Sequence, residues 1–190
     1  MKLRIAIALV IVLANEAYGQ GPQAQELARA LADDATRENA VASVVADPRA
    51  KLPLLLSWAK SPPADVDELG IDIGLADAFG RLRAKEAIPF LIQHISIQRW
   101  LAAPDVWMKT AEVVQERLPA AAALIKIGPD ASRALIAANW DCMSPEDRLA
   151  ALLVVSLAGP VPGARDFVLR ALGEANMQRH WAEEGLKVLN

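Results

Sequence analysis

Few residues in this chain have side chains suited to catalysis. His94 and His180 are the only histidines, and Cys142 is the only cysteine. An imidazole or a thiolate becomes a catalyst only beside a second group within hydrogen-bond reach. The two histidines stand 86 residues apart, and no His-x-x-x-His, Cys-x-x-Cys or Asp-x-Asp-x-Asp spacing occurs. Cys142 has no Lys, Arg or His close by in sequence to lower its pKa. It reads as a buried free thiol, with pairing between chains as the alternative. A single cysteine leaves no intrachain disulfide. The acidic pairs Asp33-Asp34 and Glu183-Glu184 read as solvated helix faces, and Gly159-Pro-Val-Pro-Gly163 as a rigid turn. These residues define no catalytic, cofactor or metal site, so the chain is expected not to be an enzyme.

Binding chemistry is better represented. Trp and Arg contribute more energy at protein interfaces than other side chains. Arg133, Trp140 and Arg170 lie in helical segments or at their ends, and Trp100 and Trp107 flank Leu101-Ala-Ala-Pro-Asp. These five are the candidate partner-binding residues. Each tryptophan also has a packing reading. Trp140 would seal the joint before the next segment, and Trp100 and Trp107 would plug a gap between helices.

The elements that must position these residues follow from a repeat. Ala50-Lys-Leu-Pro-Leu-Leu-Leu, Ala87-Ile-Pro-Phe-Leu-Ile, Ala131-Ser-Arg-Ala-Leu-Ile and Ala164-Arg-Asp-Phe-Val-Leu share one pattern, and their lead alanines are 37, 44 and 33 residues apart. Each follows an apolar segment and a short turn such as Ala46-Asp-Pro-Arg or Gly128-Pro-Asp. An irregular period in this range marks stacked helical pairs, which bind along an extended surface.

Read in order, one helix runs from Gln23 to about Ala46 and ends at Asp47-Pro48. Ala50–Lys60 completes the first pair. Asp65 would cap Val66–Gly80, whose stripe is Leu69, Ile73, Ala76 and Phe79, and Lys85–Ser96 is its partner. Residues 97–104 are an insertion, after which a helix from Val106 meets Pro119 and kinks or splits before continuing to Ile127. Pro129–Asn139 closes the third pair. Ser144-Pro-Glu-Asp is the clearest helix start in the chain, opening a fourth pair of Leu149–Leu157 and Ala164–Glu174. Met177–Leu189 would cap the stack. No segment alternates with period 2, so the fold class is all-α.

The repeat resembles the short HEAT-like units also found in phycobilisome lyases. Leu52, Pro53 and Leu55, and Ile88, Pro89 and Leu91, match the family motif. Ile127-Gly128-Pro129-Asp130-Ala131 matches its turn variant, while Arg133 and Asp166 replace the motif proline. The resemblance spans roughly residues 38–175. It implies a right-handed α-solenoid of stacked antiparallel pairs whose second helices line the concave face. Aligned second helices place Pro53, Pro89, Arg133 and Asp166 in one outward column. Ser57, Gln93, Ala137 and Arg170 form a second column, and Lys60, Ser96 and Trp140 a third. His94 shares a half-buried column with Trp58, Ala138 and Ala171, and reads as a packed histidine.

Composition narrows the partner. The net charge of −3 is scattered, with no Lys/Arg run to meet a phosphate backbone, so nucleic acid is not the expected partner. Met1-Lys-Leu-Arg, the apolar run Ile5–Ala14, and Ala17 and Gly19 before Gln20 have the layout of a secretory signal peptide over residues 1–19. An uncleaved anchoring helix is the alternative, but ten apolar residues are about half of what a bilayer span needs. The expectation is therefore a secreted or periplasmic monomer over residues 20–190. Its partner would be a protein or peptide on the concave face, with no cofactor and no membrane span after cleavage. Two other readings fit the same residues: a HEAT-like lyase or isomerase acting on a bound chromophore or peptide, and a purely structural envelope protein.

Overall fold

The computed structural model describes residues 21–99 and 116–172, with 183, 186 and 187. The segment read as a signal peptide, Trp100, Trp107 and His180 lie outside the described residues. So does the expected terminal helix, except at 183, 186 and 187, which are helical. Every regular element among the described residues is helical, in agreement with the all-α reading. The chain divides between Ala78 and Phe79 into two compact units.

In the first unit, α1 (Pro22–Ala32), α2 (Arg37–Ala46) and α3 (Pro48–Trp58) precede α4 (Glu68–Leu82), in which the unit boundary falls. The single helix expected over Gln23–Ala46 is thus two helices. The break is built by side chains, with no proline or glycine. The Asp33 carboxylate accepts from the Ala35 N–H at 2.8 Å, which stabilises a turn. The Arg37 side chain is nearly fully buried. Its Nε donates to the Leu31 carbonyl at 2.8 Å, and its Nη2 to the Ala32 carbonyl at 2.9 Å. Its Nη1 pairs with Asp34. A helix end leaves carbonyls without partners, and a guanidinium is suited to satisfy several at once.

Two other starts differ from the sequence reading. α3 begins at Pro48, not Ala50, because proline fits the first helical position and Asp47 accepts from the Ala50 N–H at 3.4 Å. α4 is capped by Asp67, which accepts from the Gly70 N–H at 2.6 Å. Asp65 instead adopts a left-handed backbone with φ 61°. Along α4, Ile73, Ala76 and Phe79 are buried as expected, but Leu69 is 52% exposed. The buried stripe starts at Gly70, which rests on the carbonyl of Ala32, the last residue of α1. A Cβ at Gly70 or Gly74 would overlap the carbonyl oxygen of Ala32 or Leu31, so only glycine lets α4 lie this close to α1.

The second unit holds α5 (Ile88–Gln93), α6 (Pro119–Ile127), α7 (Pro129–Ala137), α8 (Pro145–Leu157) and α9 (Ala164–Leu172), with 3₁₀ turns at Lys85–Ala87 and Trp140–Cys142. Glu116 and Arg117 are helical, Leu118 is not, and Pro119 starts α6, so the proline splits the segment. Gly128 ends α6 and caps α7 in one residue, at φ 89°, a conformation other residues rarely adopt. Ser144 opens α8 with a capping box. Its hydroxyl accepts from the Asp147 N–H at 3.1 Å, and Asp147 accepts from the Ser144 N–H at 3.4 Å. Within this unit each helix packs on the next in sequence. α5 also packs on α7, α7 on α9, and α6 on α8.

Candidate functional site on the second helices

The register read from the sequence predicts which residues α3, α5, α7 and α9, the expected second helices, expose. Leu55, Leu91, Leu135 and Val168 occupy one repeat position, and each is 0% exposed. Two residues earlier in each copy, Pro53, Pro89, Arg133 and Asp166 are all exposed. Two residues later, Ser57, Gln93, Ala137 and Arg170 are all exposed as well. A helix of 3.6 residues per turn turns these flanking positions away from the buried one. The first two columns therefore fall where the sequence placed them. The third does not hold together: Lys60 is exposed, Ser96 half-buried and Trp140 buried.

Trp140 takes the packing one of its two readings, and its place among the candidate partner-binding residues is corrected. Trp140 is 5% exposed, and its ring meets Phe167 edge-on at 5.0 Å between centroids. The Arg148 guanidinium lies 5.5 Å from the ring centre, and its Nε donates to the Trp140 carbonyl at 3.3 Å. Trp140 ties the turn after α7 to α8 and α9 and does not present a surface. The indole belongs inside because α9 supplies Phe167 against it, which is the joint-sealing reading of Trp140 and not the partner-binding one.

Cys142 is a second correction. The thiol expected to be buried is exposed, and Asn139 Nδ2 donates to its sulfur at 3.0 Å. It stands at the end of a 3₁₀ turn whose buried residue is Trp140, so burying the indole leaves the thiol outside. His94 is half-buried and lies against Phe90, with ring centres 4.5 Å apart, as the packed reading expects.

Of the five candidate residues, Arg133 and Arg170 are exposed on α7 and α9. Trp140 is buried, and Trp100 and Trp107 lie outside the described residues. Arg133 pairs with Asp130 one turn earlier on α7. Lys85, in the turn before α5, reaches the same carboxylate at 2.5 Å. The Lys85 ammonium and the Arg133 guanidinium hold the Asp130 carboxyl below the ordinary carboxylate range. The sequence reading missed this cluster. The available signal was that Lys85 and Asp130 occupy equivalent turns of successive copies.

Among the described residues no three His, Cys, Asp or Glu side chains converge as a metal site, and no helix is long and apolar enough to cross a membrane. The exposed face offers guanidinium, carboxylate and amide groups, which suit hydrogen bonding to another chain. Comparison with family models, with curated proteins and with solved structures returned no match.

Proposed function

We propose that this chain is an exported, non-enzymatic α-solenoid of HEAT-like pairs that binds another protein or peptide along the exposed face of its second helices. One observation carries the reading. The same repeat positions are buried in all four copies, and the flanking positions are exposed in all four. A surface that recurs copy after copy is the kind stacked repeats use for extended partners. The packing of α5 on α7 and α7 on α9 supports a continuous row of second helices in the second unit. Arg133 and Arg170 are the strongest interface residue types on that row. Export rests on the basic, apolar and small-residue layout of residues 1–19.

The test is cross-linking in the native host, comparing the intact chain with Arg133→Ala/Arg170→Ala. The proposal expects a defined cross-linked partner that is lost in a variant of unchanged helix content. An unchanged cross-linking pattern in that variant removes the second-helix face as the site. The intact mass of the exported protein tests the location, with a cut before Gln20 expected.

A further inference from the structure

A second surface lies in the first unit and uses none of the exposed positions named above on the second helices. Between α1 and α2 runs an open trough. α1 lines it with Gln23, Glu26, Leu27 and Ala30, and α2 with Asn39, Ala40 and Ser43 together with Thr36, the residue just before it. Both sets follow the spacing i, i+3, i+4, i+7, which is one stripe along each helix. The helices double back through residues 33–36, and the Thr36 hydroxyl donates to the Ala30 carbonyl at 3.0 Å. Thr36 and Ala30 therefore share one end, and Ser43 and Gln23 the other. Each stripe runs over seven residue steps, about 10 Å at 1.5 Å per step, or two helical turns.

The trough has a small, apolar floor and a polar rim. Ala40 is buried, and Leu27 and Ala30 are half-buried. Gln23, Glu26, Thr36 and Asn39 are exposed along the edges. Alanines in the floor allow another backbone to come close. At the Ser43 end, Lys51 of α3 donates to the Ser43 carbonyl at 2.8 Å and to its hydroxyl at 3.2 Å. An ammonium has three N–H donors, so one remains for a group entering the trough. The opening is wide, whereas a small-molecule pocket encloses most of its ligand. Two parallel stripes of helical spacing match a third helix laid between them.

We propose that this trough seats a short amphipathic helix of another protein, apolar on the face against Leu27, Ala30 and Ala40, with a carboxylate at the end that meets Lys51. The proposal does not depend on the second-helix reading, and either can fail alone.

The full chain is titrated with labelled 14-residue helical peptides, amidated at the C-terminus, with leucines at i, i+3, i+4 and i+7. One peptide carries a single Glu in its first turn, one a single Glu in its last turn, and a twin has Gln at both places. Fluorescence anisotropy is expected to show saturable binding, with one Glu peptide about tenfold tighter than the twin, the usual scale of one charge-assisted hydrogen bond. Lys51→Met should remove that preference and leave the twin unchanged. Leu27→Glu, checked for helix content, should weaken all three peptides. The proposal is overturned by absent saturable binding, by equal affinity for Glu and Gln peptides, or by peptides indifferent to Leu27→Glu. Equal weakening of every peptide in Lys51→Met also overturns it, since Lys51 would then only hold Ser43. Tighter binding of octanoate than of any peptide would make the trough a small-molecule site and sink the helix reading.

Discussion

The Lys85 ammonium meets the Asp130 carboxylate at 2.5 Å, joining the turn before α5 to the first turn of α7. The two residues come from equivalent turns of successive copies, 45 positions apart. Arg133 closes the cluster from one turn along α7.

The cluster makes stability depend on pH. The folded Asp130 carboxyl is held below its ordinary range, so its contribution is fully present above the unfolded value, near pH 4. It is lost as pH falls through the lower folded value. The gap in urea midpoint between the intact chain and Asp130→Asn is therefore expected to be constant near neutrality and to close below about pH 4. Raising the salt concentration should shrink the neutral gap, because the cluster is solvent-exposed. A gap that widens on acidification would contradict the assignment.

Two substitutions two residues apart separate the buried column from the exposed one. Leu91 is 0% exposed, and Gln93 faces solvent. Leu91→Asp is expected to cost several kcal/mol, since its carboxylate would have no partner. Gln93→Asp should change stability by less than about 0.5 kcal/mol. Thermal melts of the two variants check this, and equal losses would mean that the helix register is wrong.

Arg37 and Gly74 converge on one carbonyl, that of Leu31. Arg37→Met leaves the carbonyls of Leu31 and Ala32 buried without their donor, and is expected to cost about 2–3 kcal/mol. Arg37→Lys should recover less than half, because an ammonium cannot reproduce the guanidinium fork. Gly74→Ala should destabilise by at least about 1 kcal/mol from the close contact, despite the better helix propensity of alanine. Urea titrations of the three variants measure these losses, and a stabilising Gly74→Ala would show that α4 does not lie this close to α1.

Cys142 should react with a water-soluble disulfide reagent at one thiol per native chain, without denaturant. Asn139→Ala removes the amide that donates to the sulfur and should change the reaction rate without changing stoichiometry. A thiol that reacts only after unfolding would return Cys142 to the interior.

Ser144→Ala removes one half of the capping box and should cost about 1 kcal/mol. Ser144→Asp keeps an acceptor for the Asp147 N–H and is expected to recover most of it. Urea midpoints decide, and equal losses in both variants would mean that the hydroxyl is not the cap.

The sequence by itself determined the helical class and, along α3, α5, α7 and α9, which positions are buried and which are exposed. The physical reason is periodicity. Leu55, Leu91, Leu135 and Val168 recur at the same place in each copy, and one buried position on a helix dictates its exposed neighbours. Local stop and start chemistry was equally legible at Ser144, Pro119 and Gly128, because capping and proline effects act within a few residues. What the tertiary structure decided were matters of distance along the chain. The break after Ala32 needed Arg37 to find the end of α1. Trp140 went inside because Phe167 and Arg148 enclose it, and Cys142 stayed outside as a consequence. The trough between α1 and α2 belongs to the same class. Its two stripes are readable one at a time, but their meeting depends on a turn that only the folded chain displays.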